Sequence, residues 1–160
     1  MDTFIVTEDR WSIEGILPRN VPFAWPFVWP LLEPSINTVP QDIRPYPQDI
    51  VESLHNGARQ LWICWDKAEG RVVAAVVTEI IRFPDEPGGD RVCHIWAAGG
   101  IGVKRFVGQG WPILRAWAAA HGCVRMTHGG RKGWQRIVGS SLIGKLDGKW
   151  PIYGMPVSLH

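Results

Sequence analysis

The stretch Arg91–Gly139, RVCHIWAAGGIGVKRFVGQGWPILRAWAAAHGCVRMTHGGRKGWQRIVG, reads as strand, glycine turn, long helix, strand and short helix. Its chemistry lies at the first turn, where Gly99, Gly100 and Gly102 fall between strand and helix. Such a turn presents backbone N–H groups at the positive end of the helix dipole, where a phosphate-bearing cofactor can dock. A second glycine turn, HGGRKGW from His128 to Trp134, has Arg131 and Lys132 at its mouth. It could take up an anion or, with Trp134, touch nucleic acid; turn geometry alone also accounts for its glycines, with Trp134 in the core.

Metal and disulfide chemistry have weaker support. Cys64, Cys93 and Cys123 are odd in number, far apart and set among apolar residues, which suits buried thiols in a reducing compartment. Cys93 and His94 are adjacent on a strand, so their side chains point to opposite faces and make a poor pair of metal ligands.

The elements that must position the first turn can be followed along the chain. Residues 20–36 carry Pro22, Pro26, Pro30 and Pro34 at every fourth position, which predicts a kinked or short helix at best. Trp25, Trp29 and Leu32 share its apolar face, as an aromatic brace over a sheet or as a partner-docking arm. Residues 37–46 read as loop, and Pro47 opens a helix with Ile50, Val51 and Leu54 on one face and Gly57 as its stop. Strands are expected at Gln60–Trp65, Arg71–Phe83 and Arg91–Ala98, joined by short turns into an antiparallel meander. The long helix runs to His121, with a kink or late start expected near Trp111 because Gly108, Gly110 and Pro112 weaken its first half. A strand over Cys123–His128, parallel to its predecessor, a helix over Arg131–Val138 and one or two closing strands around Asp147-Gly148 complete the order.

Composition bounds the function. With 160 residues, 46% hydrophobic and 20% charged, the chain suits one globular domain: an N-terminal helical region (1–58), the meander (59–98), the helix–strand–helix unit (99–139) and closing strands (140–160). The 17 basic and 15 acidic residues give a net charge of +2 without long runs, which argues against a broad nucleic-acid surface. No stretch approaches the roughly 20 apolar residues of a membrane span, and the start lacks the pattern of a secretion signal. Ten tryptophans are spread over every element, as expected of core residues rather than a base-stacking platform.

The order helix, helix, three-stranded meander, helix, strand, helix, closing strands is similar to that of the GNAT superfamily of N-acetyltransferases. The chain most resembles GNAT-like proteins encoded by tailed bacteriophages, through TEI at Thr78–Ile80, AGG at Ala98–Gly100, AWAAAHGC at Ala116–Cys123 and GRKGWQRIVG at Gly130–Gly139. The resemblance implies an α/β (α+β) fold, with a mixed, mostly antiparallel sheet of about six or seven strands flanked by about four helices. It implies acetyl-coenzyme A as cofactor, held by backbone groups at Ala98, Gly99, Gly100 and Gly102, with Lys104 and Arg105 beside the phosphates.

Two departures from the family pattern accompany that reading. Lys104, Arg105, Phe106 and Val107 stand where the family places glycines before the helix, and Gln135 stands where many members carry a tyrosine acid. The catalytic groups implied are Glu79 or His94 as general base and Tyr153, reaching in from a closing strand, as acid. Each base candidate reads more readily as a satisfied polar residue on a sheet face, with Arg82 or Arg125 as a partner for Glu79. Two functions follow. One is an acyl-coenzyme A-dependent N-acetyltransferase acting on a small-molecule or protein amine. The other is a catalytically inactive phage structural or accessory protein, without a cofactor, acting through protein–protein contacts. The host cytoplasm is the expected location, with the virion as the alternative.

Overall fold

The run RVVAAVVTEIIRF forms the longest strand of the chain, because six successive residues from Val73 to Thr78 are buried and β-branched or small. A computed structural model describes residues 5–7, 11–83, 87–101, 103–129, 141–146 and 150–157. The strands are β1 (Ile5–Thr7), β2 (Trp11–Ile16), β3 (Gln60–Asp66), β4 (Arg71–Phe83), β5 (Asp90–Gly100), β6 (Arg125–Gly129), β7 (Ser141–Leu146) and β8 (Trp150–Pro156). The helices are α1 (Val21–Ile36), α2 (Pro47–His55) and α3 (Val103–Ala120). The hydrogen-bonded strand order is β1-β2-β3-β4-β5-β6-β8-β7, mixed and mostly antiparallel. This is the fold class expected from the sequence. The chain divides into two compact units, Met1–Thr78 with Ala97–Phe106, and Glu79–Trp96 with Val107–His160.

In the first unit, β2 pairs antiparallel with β3 from Trp11↔Asp66 to Ile16↔Leu61, and β3 with β4 from Gln60↔Thr78 to Asp66↔Arg71. The hairpin of β1 and β2 is absent from the sequence reading, which assigned residues 1–58 to a helical region. Its one local signal is the alternation of WSIEGI, with Ile13 and Gly15 buried. A polar chain fixes β3 to β4: the buried Trp62 indole donates to Thr78 Oγ1 at 3.1 Å, and Thr78 Oγ1 donates to Gln60 Oε1 at 2.9 Å. The helix expected from Pro47 is present, with Ile50 and Leu54 buried.

The segment expected to be kinked or short is instead a helix of 16 residues with Pro26, Pro30 and Pro34 inside it. Val21, Val28, Leu32 and Ile36 form its buried stripe. The prolines lie on the opposite side at helical spacing, and Pro22, Pro26, Pro30 and Pro34 are all exposed. The backbone hydrogen bonds that proline removes therefore face water, which can replace them. Each interior proline costs about 3 kcal/mol in a helix. Each fully buried Val, Leu or Ile contributes about 1.5–3 kcal/mol, so four buried residues offset three prolines. Trp25 and Trp29 stack, with centroids 5.5 Å apart.

The close approach of α1 to β5 depends on glycine. A Cβ on Gly99 would overlap the Leu31 carbonyl oxygen and lie 3.1 Å from its carbon. Gly100 has φ of +132°, and a Cβ there would overlap the Val73 carbonyl oxygen and lie 2.5 Å from Ala74 Cα. The Ile101 N–H then donates to the Val73 carbonyl at 2.8 Å.

In the second unit, β5 and β6 are parallel, β6 pairs antiparallel with β8, and β8 with β7. The helix α3 is continuous from Val103 through Pro112 to Ala120, so the late start expected near Trp111 does not occur. It closes at Gly122 (φ +79°), with Cys123 N–H donating to Ala118 O at 3.0 Å and Gly122 N–H to Ala119 O at 3.1 Å. Arg91 Nε caps the His121 carbonyl at 2.8 Å. The helix expected over Arg131–Val138 and the turn at Asp147-Gly148 lie outside the described residues.

Two substitutions test this account by thermal unfolding. Pro30→Ala is expected to raise stability by about 1–2 kcal/mol, because a backbone donor returns while the unfolded chain regains some freedom; an unchanged or lower midpoint would contradict the solvent-side placement of the prolines. Gly99→Ala is expected to cost at least about 2–3 kcal/mol, since the overlapping atoms are backbone and cannot turn aside.

Candidate functional site

Four polar ring or hydroxyl groups gather in the second unit, on β5, β6 and β8. The parallel ladder places Val92 opposite Arg125, Cys93 opposite Met126, His94 opposite Thr127 and Ile95 opposite His128. There the β6 pairing of β5 ends, while β5 itself continues to Gly100. The His94 Nδ1 and Thr127 Oγ1 atoms are 2.8 Å apart and hydrogen-bonded, with Thr127 fully buried and His94 only 7% exposed. Thr127 is absent from the sequence-level candidates, because its partner lies 33 residues away and only the parallel register joins them.

Strand alternation separates this pair from the next. His128 follows Thr127 and points to the other face of the sheet, where it stacks on its register partner Tyr153 with centroids 5.3 Å apart. Met155 shares the Tyr153 face and accepts a hydrogen bond from the Trp111 indole of α3 at 3.1 Å. Tyr153 is therefore on the α3 side, 4% exposed. His94 and Tyr153, expected as base and acid of one site, stand on opposite faces. Glu79 sits half-buried on β4 in the same unit. Of the two arginines expected near it, Arg82 donates to the Gly89 carbonyl at 3.1 Å, and Arg125 pairs with Asp90.

Burial sets the electrostatics of the histidines. Desolvation, reinforced by neighbouring His128, pushes His94 down to about 4, so its imidazole is neutral at neutral pH. Desolvation also lowers His128, partly countered by a hydrogen bond with the Gly129 backbone. All three cysteines are free and buried, and among the described residues no group of three or more metal-binding side chains occurs.

The expected cofactor turn belongs to the first unit. Ala98, Gly99 and Gly100 are the last residues of β5, Ile101 is the turn, Lys104 and Arg105 lie in the first turn of α3, and Gly102 is outside the described residues. The contacts of Gly99 and Gly100 with α1 and β4 account for both glycines, and the Ile101 N–H is committed to Val73. What remains for an anion is the start of α3. Its first N–H groups have no partner within the helix, and no acidic residue occupies its first turn. Arg131, Lys132 and Gln135 are outside the described residues.

Comparison with known proteins places this geometry in a fold. No model of a known family matches the chain, and no curated protein sequence matches it. Solved structures do. Ribosomal-protein-S5-alanine acetyltransferase from Vibrio fischeri is similar over 98% of this chain and 98% of its own, with 13% identity and a TM-score of 0.57. An agmatine N-acetyltransferase covers 92% of this chain and 100% of its own, at 12% identity and a TM-score of 0.66. A GNAT-family acetyltransferase from Streptococcus agalactiae covers 97% and 98%, at 14% identity and a TM-score of 0.60. At such identities the likeness is one of fold, and that fold is the GNAT acetyltransferase fold. Among the described residues, no helix is long and apolar enough to cross a membrane.

The depressed His94 value makes stability pH-dependent with a defined sign. The unfolded chain takes up the proton near the ordinary 6.5 and the folded one only near 4, so stability falls as pH drops from 6.5 to 4 and levels off below. The loss expected from this group is roughly 3 kcal/mol. Denaturant unfolding of wild type and His94→Gln across pH 7 to 4 checks it; equal slopes in both proteins would remove His94 as the cause.

Proposed function

We propose that the chain is an acyl-coenzyme A-dependent N-acyltransferase of GNAT type. The observation that carries this reading is that, among the described residues, the β5–β6 ladder ends at Ile95–His128 while β5 continues to Gly100 and α3 begins at Val103. Beyond Ile95 no described residue of β6 pairs with β5, and a strand edge of that kind offers backbone donors and acceptors to an extended amide-bearing ligand arm. The adjoining helix start offers N–H groups to its phosphates. The acyl group, bound as a thioester, supplies an activated carbonyl.

The residues fit such a ligand at the α3 entry and not at the upstream glycines. Val103 to Phe106 would hold the phosphates through their backbone N–H groups, with Lys104 and Arg105 adding charge. Gly99, Gly100 and Ile101 shape the chain without donating. Within the second unit, Glu79 is the proposed acceptor of the amine proton, since a half-buried carboxylate keeps contact with water while His94 is neutral and buried. Tyr153 stands on the face opposite His94, so solvent is the proposed proton donor to the departing sulfur. The other tyrosine, Tyr46, is 69% exposed and lies in the first unit.

A second reading is favoured by one observation: Phe23 and Phe27 are 77% and 66% exposed on the proline side of α1. An apolar surface of this kind suits protein contact, and the protein would then be a catalytically silent GNAT-fold component, in a phage setting as the sequence resemblance implies. Calorimetric titration with acetyl-coenzyme A separates the two. The transferase reading expects micromolar binding that weakens about tenfold or more in the double variant Lys104→Glu, Arg105→Glu. No heat at millimolar ligand leaves the contact protein. Substitution of Gly99 or Gly100 is uninformative here, because it would break the packing of α1 and β4.

A further inference from the structure

The bond between His94 and Thr127 has a direction that decides what His94 can do. A hydroxyl carries one proton, and a neutral imidazole carries one for two nitrogens, so either partner can be the donor across the 2.8 Å contact. Thr127 is fully buried. Its register partner on β6's other side is Gly154, which offers no side chain. Its backbone lies between two paired strands, β5 and β8. Among the described residues, the His94 ring is the one hydrogen-bond partner of the hydroxyl. If Nδ1 carried the ring proton, the Thr127 O–H would be a buried donor without an acceptor. If the hydroxyl donates to Nδ1, its proton is placed and the ring proton sits on Nε2, which favours that arrangement by roughly tenfold or more.

We infer that Thr127 donates to Nδ1 and holds His94 as the Nε2–H tautomer, so that His94 acts as a neutral hydrogen-bond donor to an oxygen gaining negative charge, such as an acyl carbonyl oxygen, rather than as a general base. Thr127 is its positioning residue. Burial supports this role independently: with the ring held down to about 4, the imidazole is overwhelmingly neutral between pH 6 and 8 and presents the same donor throughout. The identity of the oxygen rests on the acyltransferase reading. The tautomer does not.

Nitrogen chemical shifts of the histidine rings in the 15N-labelled full chain at pH 7 test the tautomer, with the His94 signals assigned by their absence from His94→Gln. Protonated Nε2 and unprotonated Nδ1 are expected in wild type and in Thr127→Ser, with the preference lost in Thr127→Val. A protonated Nδ1 in wild type would overturn the inference without any variant having to fold. Turnover of acetyl-coenzyme A tests the role. His94→Gln keeps a donor near the Nε2 position and is expected to lose about tenfold in kcat, whereas His94→Phe loses about a hundredfold or more. The pH profile of kcat/KM should show no acid limb that disappears in His94→Gln. Equal losses in both variants, together with such a limb, would restore the base and sink the donor. Absence of any turnover would overturn the acyl-oxygen role alone, and the nitrogen shifts would still decide the tautomer.

Discussion

Backbone meeting backbone at Gly99 and Gly100 is the constraint on which the first unit depends. With no Cβ at either position, the Leu31 carbonyl of α1 and the Val73 carbonyl of β4 both reach the end of β5. The Ile101 N–H closes the arrangement on Val73. A helix interrupted by proline at every fourth residue has little stability of its own, and this approach, with the stripe from Val21 to Ile36, gives it a surface to bury. The same contacts set where β5 ends and where the first N–H groups of α3 begin. In the proposed reading the glycines serve a ligand only indirectly, by placing the helix start.

The second unit is organised by alternation. Neighbouring residues of β6 send Thr127 to one face and His128 to the other, and each finds its partner across a ladder: His94 on β5 and Tyr153 on β8. Two polar pairs are thereby buried back to back, one joined by a hydrogen bond and the other by ring stacking. An acid and a base placed on opposite faces of a sheet cannot share a substrate atom, so proton transfer in the proposed reaction falls to Glu79 and solvent on one side of the exchange. His94 is left with an electrostatic role that needs no change of charge. A donor that stays neutral does not have to be desolvated again as the reaction proceeds, which suits a buried position.

Much of this was legible along the chain, and the failures have physical causes. The Arg71–Phe83 strand was plain because a run of buried β-branched residues has few alternatives. The helix from Pro47 and its glycine stop followed from local spacing. The proline helix was misread because propensity counts the lost hydrogen bonds and clashes but not the face on which they fall; here all of them face water. The β1–β2 hairpin was missed because three and six residues carry too little pattern to outweigh charged neighbours. Thr127 was invisible for a different reason. Its role exists only in the register of two parallel strands, and no local spacing encodes a partner 33 residues distant. The departures from the family pattern at Lys104 to Val107, by contrast, were legible and gain a reason, since the glycine requirement of this chain is spent on packing at Gly99 and Gly100, four to eight residues earlier.

The buried thiols carry a practical consequence. Desolvation, helped by nearby Asp66, pushes Cys64 up to about 11; Cys123 is also raised, and Cys93 is fully buried. The thiolate is the species that reacts with alkylating reagents and oxidants, and at neutral pH these positions hold almost none within reach of solvent. The folded chain is therefore chemically quiet toward thiol probes despite its three cysteines. A single cysteine introduced on the solvent ridge of α1 would be the one bright site on a dark background, and the native residues need not be removed to see it.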